Sequence, residues 1–166
     1  MPRRSSVADA LRRPAPWAAP VTFPLALVGL GLSAYLTYVH YAEPRALSCP
    51  DTGVINCTKV TTSPESILFG FLPVALAGAL YFVVMTALLT PRAWRASRSW
   101  VATLRLLGAV AGIGMVCYLV YVEAVVVRAV CLYCTAVHVV TFLLFVTVLA
   151  ATLLGDEESS SARARG

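Results

Sequence analysis

Four of the five cysteines in this chain form two pairs whose spacing suits redox chemistry. Cys49 and Cys57 are separated by seven residues rich in turn formers. A loop of this size can bring two Cα atoms within the ~5.5–6 Å that a disulfide requires. Cys131 and Cys134 form a Cys-x-x-Cys pair at the start of a long apolar segment.

A Cys-x-x-Cys pair at the beginning of a helix is chemically active for a specific reason. The unpaired amides and the helix dipole favour a thiolate at the first cysteine, Cys131. Cys134 lies three residues further on the same helical face, so the two sulfurs can bond and separate reversibly. Two dithiol couples near one membrane surface predict an electron relay.

Two other interpretations of the cysteines remain open at this point. Both pairs can be structural disulfides, or the four thiols can hold a zinc ion as a Cys₄ site. We predict the relay and no metal, because half of a Cys₄ site would lie at the edge of the lipid. The fifth cysteine, Cys117, stands alone in an apolar segment and is interpreted as packing.

The composition indicates a membrane protein. Of 166 residues, 59% are hydrophobic and 13% are charged, with a mean hydropathy of +0.80. A soluble domain carries about 25% charged residues. These values exclude an ordinary soluble fold and, despite a net charge of +5, a nucleic-acid partner.

Four apolar segments are long enough to cross a bilayer as helices, since ~20 residues are needed. The predicted fold is therefore an all-α membrane protein, a four-transmembrane-helix bundle with a cysteine-containing extracytoplasmic loop between helices 1 and 2. The predicted domain is 21–154, with spans at about 21–42, 67–90, 101–122 and 129–154. The tails 1–20 and 155–166 are predicted to be cytoplasmic and disordered.

Basic residues predict the orientation of the bundle. Arginines concentrate before the first span and between the second and third, and the positive-inside rule assigns these regions to the cytoplasm. All four paired cysteines then face outward. An excess of Arg, Ala and Val favours a bacterial origin, and hence the inner (cell) membrane. The arginines are Arg3, Arg4, Arg12, Arg13, Arg92, Arg95 and Arg98, with Arg105 expected to snorkel to the same side.

His138 is a further candidate site residue. It lies four residues after Cys134, on the same predicted helical face. An ionisable residue in a span is costly and is by default a functional candidate. It can hydrogen-bond a ligand or donate a proton, or it can be a polar residue satisfied within the bundle.

The order of these elements resembles the vitamin K epoxide reductase family, including bacterial members that substitute for the quinone-linked oxidase of disulfide-bond formation. The resemblance covers roughly 21–154. It rests on the loop cysteines, the segment 57–64 (Cys-Thr-Lys-Val-Thr-Thr-Ser-Pro), the segment 69–74 (Phe-Gly-Phe-Leu-Pro-Val) and the Cys-x-x-Cys pair. The other bacterial quinone-linked thiol oxidase carries its Cys-x-x-Cys in the first outward loop, the reverse order.

The resemblance implies a role for each paired cysteine. Cys49 would receive electrons from a thioredoxin-like (DsbA-like) protein outside the cytoplasm. Cys57 would exchange with Cys131, and Cys134 would face a membrane quinone, either menaquinone or ubiquinone. The chain would thus be a quinone-dependent thiol-disulfide oxidoreductase, with its thiol partner expected to be a separate protein.

The resemblance also implies a quinone site. Ser63 and Phe69 belong to the matching segments and are expected to frame it together with Cys134. His138 stands where the vertebrate enzymes carry a tyrosine, so the hydrogen bonding to the quinone ring would differ here.

Overall fold

The computed structural model describes residues 15, 17–42, 47, 49, 52–96 and 99–164, with side chains described up to 154. Most of the tail 1–20 therefore lies outside the described residues. The helices are α1 (Ala18–Ala42), α2 (Cys57–Thr61), α3 (Val74–Leu88), α4 (Pro91–Arg95), α5 (Ser99–Tyr121) and α6 (Leu132–Ala164). A 3₁₀ turn (Pro64–Ser66) and strands β1 (Ile67–Leu68) and β2 (Leu72–Pro73) precede α3, and a π-helical segment (Val122–Val127) follows α5.

Three helical segments of the described chain are long and apolar enough to cross a membrane. They are Ala18–Ala42, Ser99–Val127 and Leu132–Leu154, and α3 is a shorter apolar helix. Large apolar side chains face outward along these helices, as a lipid environment requires. Examples are Leu27, Val28, Val83, Val110 and Phe142. The chain is thus a helical membrane protein.

The second apolar segment is divided, which corrects the predicted span 67–90. Its first part forms an antiparallel hairpin in which Ile67 pairs with Pro73. Phe69 and Gly70 at the turn have φ values of 55° and 79°. This left-handed conformation is incompatible with a regular α-helix. Helix α3 therefore has 15 residues, or about 22 Å at 1.5 Å per residue.

The third segment is longer than the predicted span 101–122. Helix α5 continues into the π-helical segment, which ends where Arg128 adopts a left-handed φ of 52°. Residues after 154, predicted as a disordered tail, continue α6 to Ala164. Helix α6 itself begins at Leu132, three residues later than the predicted start of its span.

Helix α1 packs mainly on α3 and α6, and α5 packs on α6. Close contact between α1 and α3 depends on Gly29, because the ring of Phe82 occupies the space that a Cβ atom would take. Small residues allow such approach of helices in a membrane. The core around Phe82 continues through Met85, Leu144 and Val148.

The end of the bundle farthest from the cysteines contains a buried arginine. The Arg105 guanidinium lies 3.6 Å from the ring centre of Trp94 and donates to the carbonyl oxygens of Leu88 and Ala93, both at 3.2 Å. Trp94 Nε1 in turn donates to Thr22 Oγ1 at 3.1 Å. We call these three side chains the arginine cluster.

Candidate redox site

The loop after α1 contains a disulfide between Cys49 and Cys57, with their Cα atoms 6.0 Å apart. This is the pairing that the loop length allows. Cys57 is the first residue of α2, whose start is capped by Asn56: its Oδ1 accepts from the backbone amide of Lys59 at 2.8 Å. A side-chain cap of this kind fixes the beginning of a short helix.

The loop is joined to the start of α6 through its backbone. The amide of Asn56 donates to the carbonyl of Val130 at 3.1 Å, and the amide of Val130 donates to the carbonyl of Val54 at 2.8 Å. Ile55 and Val130 thereby form a parallel bridge. Because Cys57 and Cys131 follow the paired residues, both enter one buried cluster of side chains.

Cys131 and Cys134 are free thiols. The Cys134 amide at the start of α6 donates to Cys131 Sγ at 3.4 Å. Cys131 precedes the apolar span of α6, and a hydrogen bond from the Cys134 side chain lowers the pKa of the Cys131 thiol, against the opposing effect of burial. The thiolate is thus favoured at the first cysteine of the pair, as expected for this position.

A cleft of about 790 Å³, including space at its mouth, opens beside Cys134. Among the predicted site residues, Ser63, Cys134 and His138 line it. Phe69 does not: it lies at the hairpin turn, with its side chain 85% exposed. The rest of the lining is mainly apolar and includes Leu36, Val60, Val74, Ala75, Val122 and Val137.

The cleft suits a flat, lipophilic molecule with polar ring oxygens. Ligand sites of this kind are mostly apolar, with a few polar groups that fix orientation. Here those groups include Ser63, Cys134 and His138. His138 is only 8% exposed and makes no hydrogen bond to another described residue, so its ring nitrogens remain available to a ligand.

Glu123 is a site residue that the sequence analysis missed. It lies in the π-helical segment, is 8% exposed, and lines the cleft. Its carboxylate lies close enough to the Cys131 amide and the Cys134 side chain for both to act on it. The rule that selected His138, an ionisable residue within a span, would have found Glu123 had the third span been extended to Val127.

The disulfide also bears on the zinc alternative. Two of the four sulfurs that a Cys₄ site needs, those of Cys49 and Cys57, are bonded to each other. Within the described part of the chain, no group of three or more His, Cys, Asp or Glu side chains is arranged to hold a metal ion.

A comparison with known protein families finds one match over most of the chain. The model of the vitamin K epoxide reductase family matches residues 20–149. The matched region contains both cysteine pairs and every residue that lines the cleft.

Proposed function

This chain belongs to the vitamin K epoxide reductase family, and from that premise we propose that it passes electrons from an extracytoplasmic thiol protein to a membrane quinone. The donor is a thioredoxin-like, DsbA-type protein. The acceptor is menaquinone or ubiquinone in a bacterial cell membrane. Family membership alone gives the coarser statement, a membrane oxidoreductase of thiols and disulfides.

The observation that carries the proposal is the relation between the two cysteine couples. An oxidised couple, Cys49–Cys57, lies beside a reduced couple, Cys131 and Cys134. The backbone bridge to Val130 fixes their relative position. Only the reduced couple reaches the cleft, through Cys134. This order suits a relay in which electrons enter at the loop and leave at the cleft.

In the proposed relay, each transfer between couples is a thiolate attack on a disulfide. The partner first reduces Cys49–Cys57. The Cys57 thiolate then attacks Cys131 of the Cys131–Cys134 disulfide and releases the Cys134 thiolate. Cys49 next attacks Cys57, re-forms the loop disulfide and releases Cys131. The product has the bonding found in the structure, with the loop couple oxidised and the helix couple reduced.

The reduced helix couple then transfers two electrons to the quinone. Direction follows from potential, at about 1.4 kcal/mol per 30 mV for a two-electron couple. A DsbA-type donor near −120 mV requires an acceptor of higher potential, which a quinone provides. We assign Ser63, Cys134 and His138 to the quinone site and omit Phe69, which lies away from the cleft.

We also propose that the bundle crosses the membrane four times, with both termini in the cytoplasm. The arginine distribution supports this orientation. Helix α3 is about 8 Å short of a ~30 Å hydrocarbon core. The hairpin Ile67–Pro73 leads directly into it and adds apolar surface there, including the exposed Phe69 and Phe71.

The direct test is a reconstitution. Purified protein in lipid nanodiscs receives a reduced DsbA-type protein and either menaquinone or ubiquinone, and quinone reduction is followed by absorbance. Cys134→Ser should lower the rate by at least about 1,000-fold, as expected for loss of a nucleophile. Cys117→Ser, which removes a thiol on the outward face of α5, is the matched control and should retain the rate. Substantial turnover in Cys134→Ser would overturn the assignment.

A further inference from the structure

The cleft contains an acidic group that the relay described above does not use. Glu123 is buried in the π-helical segment and lines the cleft together with Cys134, close enough to the Cys134 side chain and the Cys131 amide for both to act on its carboxylate. Burial of a carboxylate is costly unless partners compensate for the lost water. No lysine or arginine of the described residues lines the cleft. Among the described residues, Glu123 therefore has no cationic partner in the cleft, and it shares the cleft wall with Cys134.

Closure of the Cys131–Cys134 disulfide requires a route for protons. The reaction removes two electrons and two protons from the dithiol. The pKa of the Cys131 thiol is lowered, chiefly by the Cys134 side chain and also by the amides at the start of α6, so its proton is the easier one to lose. Cys134 lies in the wall of an apolar cleft, where its proton needs a nearby acceptor. The Glu123 carboxylate lines the same cleft, close to this thiol.

We propose that Glu123 is a catalytic base that accepts the proton of Cys134 when the helix couple is oxidised. This inference rests on the proposed function for its oxidant, the quinone. The sulfur–sulfur bond forms between Cys131 and Cys134, and two electrons pass to the quinone. The Cys134 proton moves to Glu123 and then to the quinone oxygen as the quinol forms, which regenerates the carboxylate. The second proton, from Cys131, goes to the other quinone oxygen.

Other titratable groups face Glu123 from the elements around the cleft. They are His40 on α1, Glu65 in the 3₁₀ turn, and Cys134 and His138 on α6. Among these, Cys134 is the reacting thiol, and it lies close enough to act on the Glu123 carboxylate. The alternative role for Glu123 is structural, because its contact with the Cys131 amide also caps the first turn of α6. The experiment has to separate these two roles.

The test measures the rate at which the reduced Cys131–Cys134 couple is oxidised once in Glu123→Gln. The measurement is repeated over a series of pH values. One arm uses a short-chain naphthoquinone; the other uses diamide, a small oxidant that takes two electrons and two protons from a dithiol. Loss of a general base lowers rates by about 10²–10⁴-fold, so we expect about a 100-fold deficit at pH 7 in both arms. The deficit should shrink at high pH, where Cys134 ionises without help.

Glu123→Asp retains a carboxylate and should recover at least a tenth of the wild-type rate. It should also recover the decline of the rate at acid pH, where the carboxylate becomes protonated. An equal deficit at every pH, with no recovery in Glu123→Asp, would assign Glu123 a capping role and overturn the proposal. A wild-type rate in Glu123→Gln would do the same. Failure of the wild type to reduce any quinone, with the diamide result intact, would instead overturn the proposed function alone.

Discussion

The two ends of the bundle bury ionisable side chains in opposite ways. Arg105 is 4% exposed, and its guanidinium is matched by two carbonyl oxygens and the Trp94 ring. At the cysteine end, Glu123 lies 18 residues after Arg105, about 27 Å further at the rise of a helix. Glu123 and, on α6, His138 are each 8% exposed. They border an open cleft, and His138 has no hydrogen-bond partner among the described residues.

This difference assigns the two ends of the bundle different roles, one in folding stability and the other in chemistry. A buried group whose partners are all supplied by the protein holds a single arrangement and contributes to folding. A buried group that faces a cleft without a complete set of partners keeps its capacity for a ligand or a proton. Substitutions in the arginine cluster should therefore act on unfolding, and substitutions at the cleft should act on turnover.

Within the cysteine end, the largest expected effect distinguishes the loop couple, Cys49 and Cys57, from the helix couple, Cys131 and Cys134. Cys49→Ser should lower the rate of quinone reduction driven by the DsbA-type protein by at least about 1,000-fold, since the entry thiol is lost. Dithiothreitol, which is small enough to reach the inner couple, should still drive reduction within about fivefold of the wild type. Comparable rates with both donors in Cys49→Ser would show that Cys49 is not the point of entry.

The arginine cluster provides the largest expected effect on stability. Arg105→Met keeps an unbranched apolar side chain but leaves the carbonyls of Leu88 and Ala93 without their donors. We expect a loss of about 3 kcal/mol in the free energy of unfolding, or about 100-fold in the folding equilibrium. Detergent titration of the purified protein measures this loss.

Arg92→Met, on the exposed face of α4, is the matched control and should change stability by less than about 0.5 kcal/mol. The folded fraction of Arg105→Met should keep the wild-type KM for quinone, because the cluster is remote from the cleft. A changed KM with unchanged stability would contradict the division between the two ends.

The smallest of these effects is expected at His138. His138→Phe preserves an aromatic ring but removes both nitrogens, so the KM for quinone should rise about tenfold, as for loss of one hydrogen bond to a ligand. Steady-state kinetics in nanodiscs measure this change. Thr147→Val, further along α6, serves as the control with an unchanged KM. A loss of stability without a change in KM would make His138 a structural residue.

The sequence predicted those features that depend on local patterns. The apolar segments predicted the long helices, and the spacing of Cys49 and Cys57 allowed their disulfide, because loop length and hydropathy are properties of neighbouring residues. The position of Cys131 at the beginning of α6 followed from the same pattern. The pKa of Cys131 is lowered chiefly by the Cys134 side chain, and the amides at the start of α6 act in the same direction.

Features that depend on contacts between distant segments were not predictable. The apolar composition of 67–90 gave no sign that a left-handed turn at Phe69 and Gly70 would delay α3. Arg105 was expected to snorkel, but tertiary contacts with α3 and α4 keep it inside. The predicted third span ends at 122, one residue before Glu123, because nothing nearby in sequence indicates that the helix continues as a π-helix.

The bridge between Ile55 and Val130 uses main-chain atoms alone. Its geometry therefore imposes little on the identity of the loop side chains, apart from excluding proline at positions 56 and 130, whose amides donate. Substitution of the other described loop side chains therefore leaves this attachment to Val130 in place. A change in the thiol partner that we propose would then require new side chains in the loop and no change in the main-chain bridge.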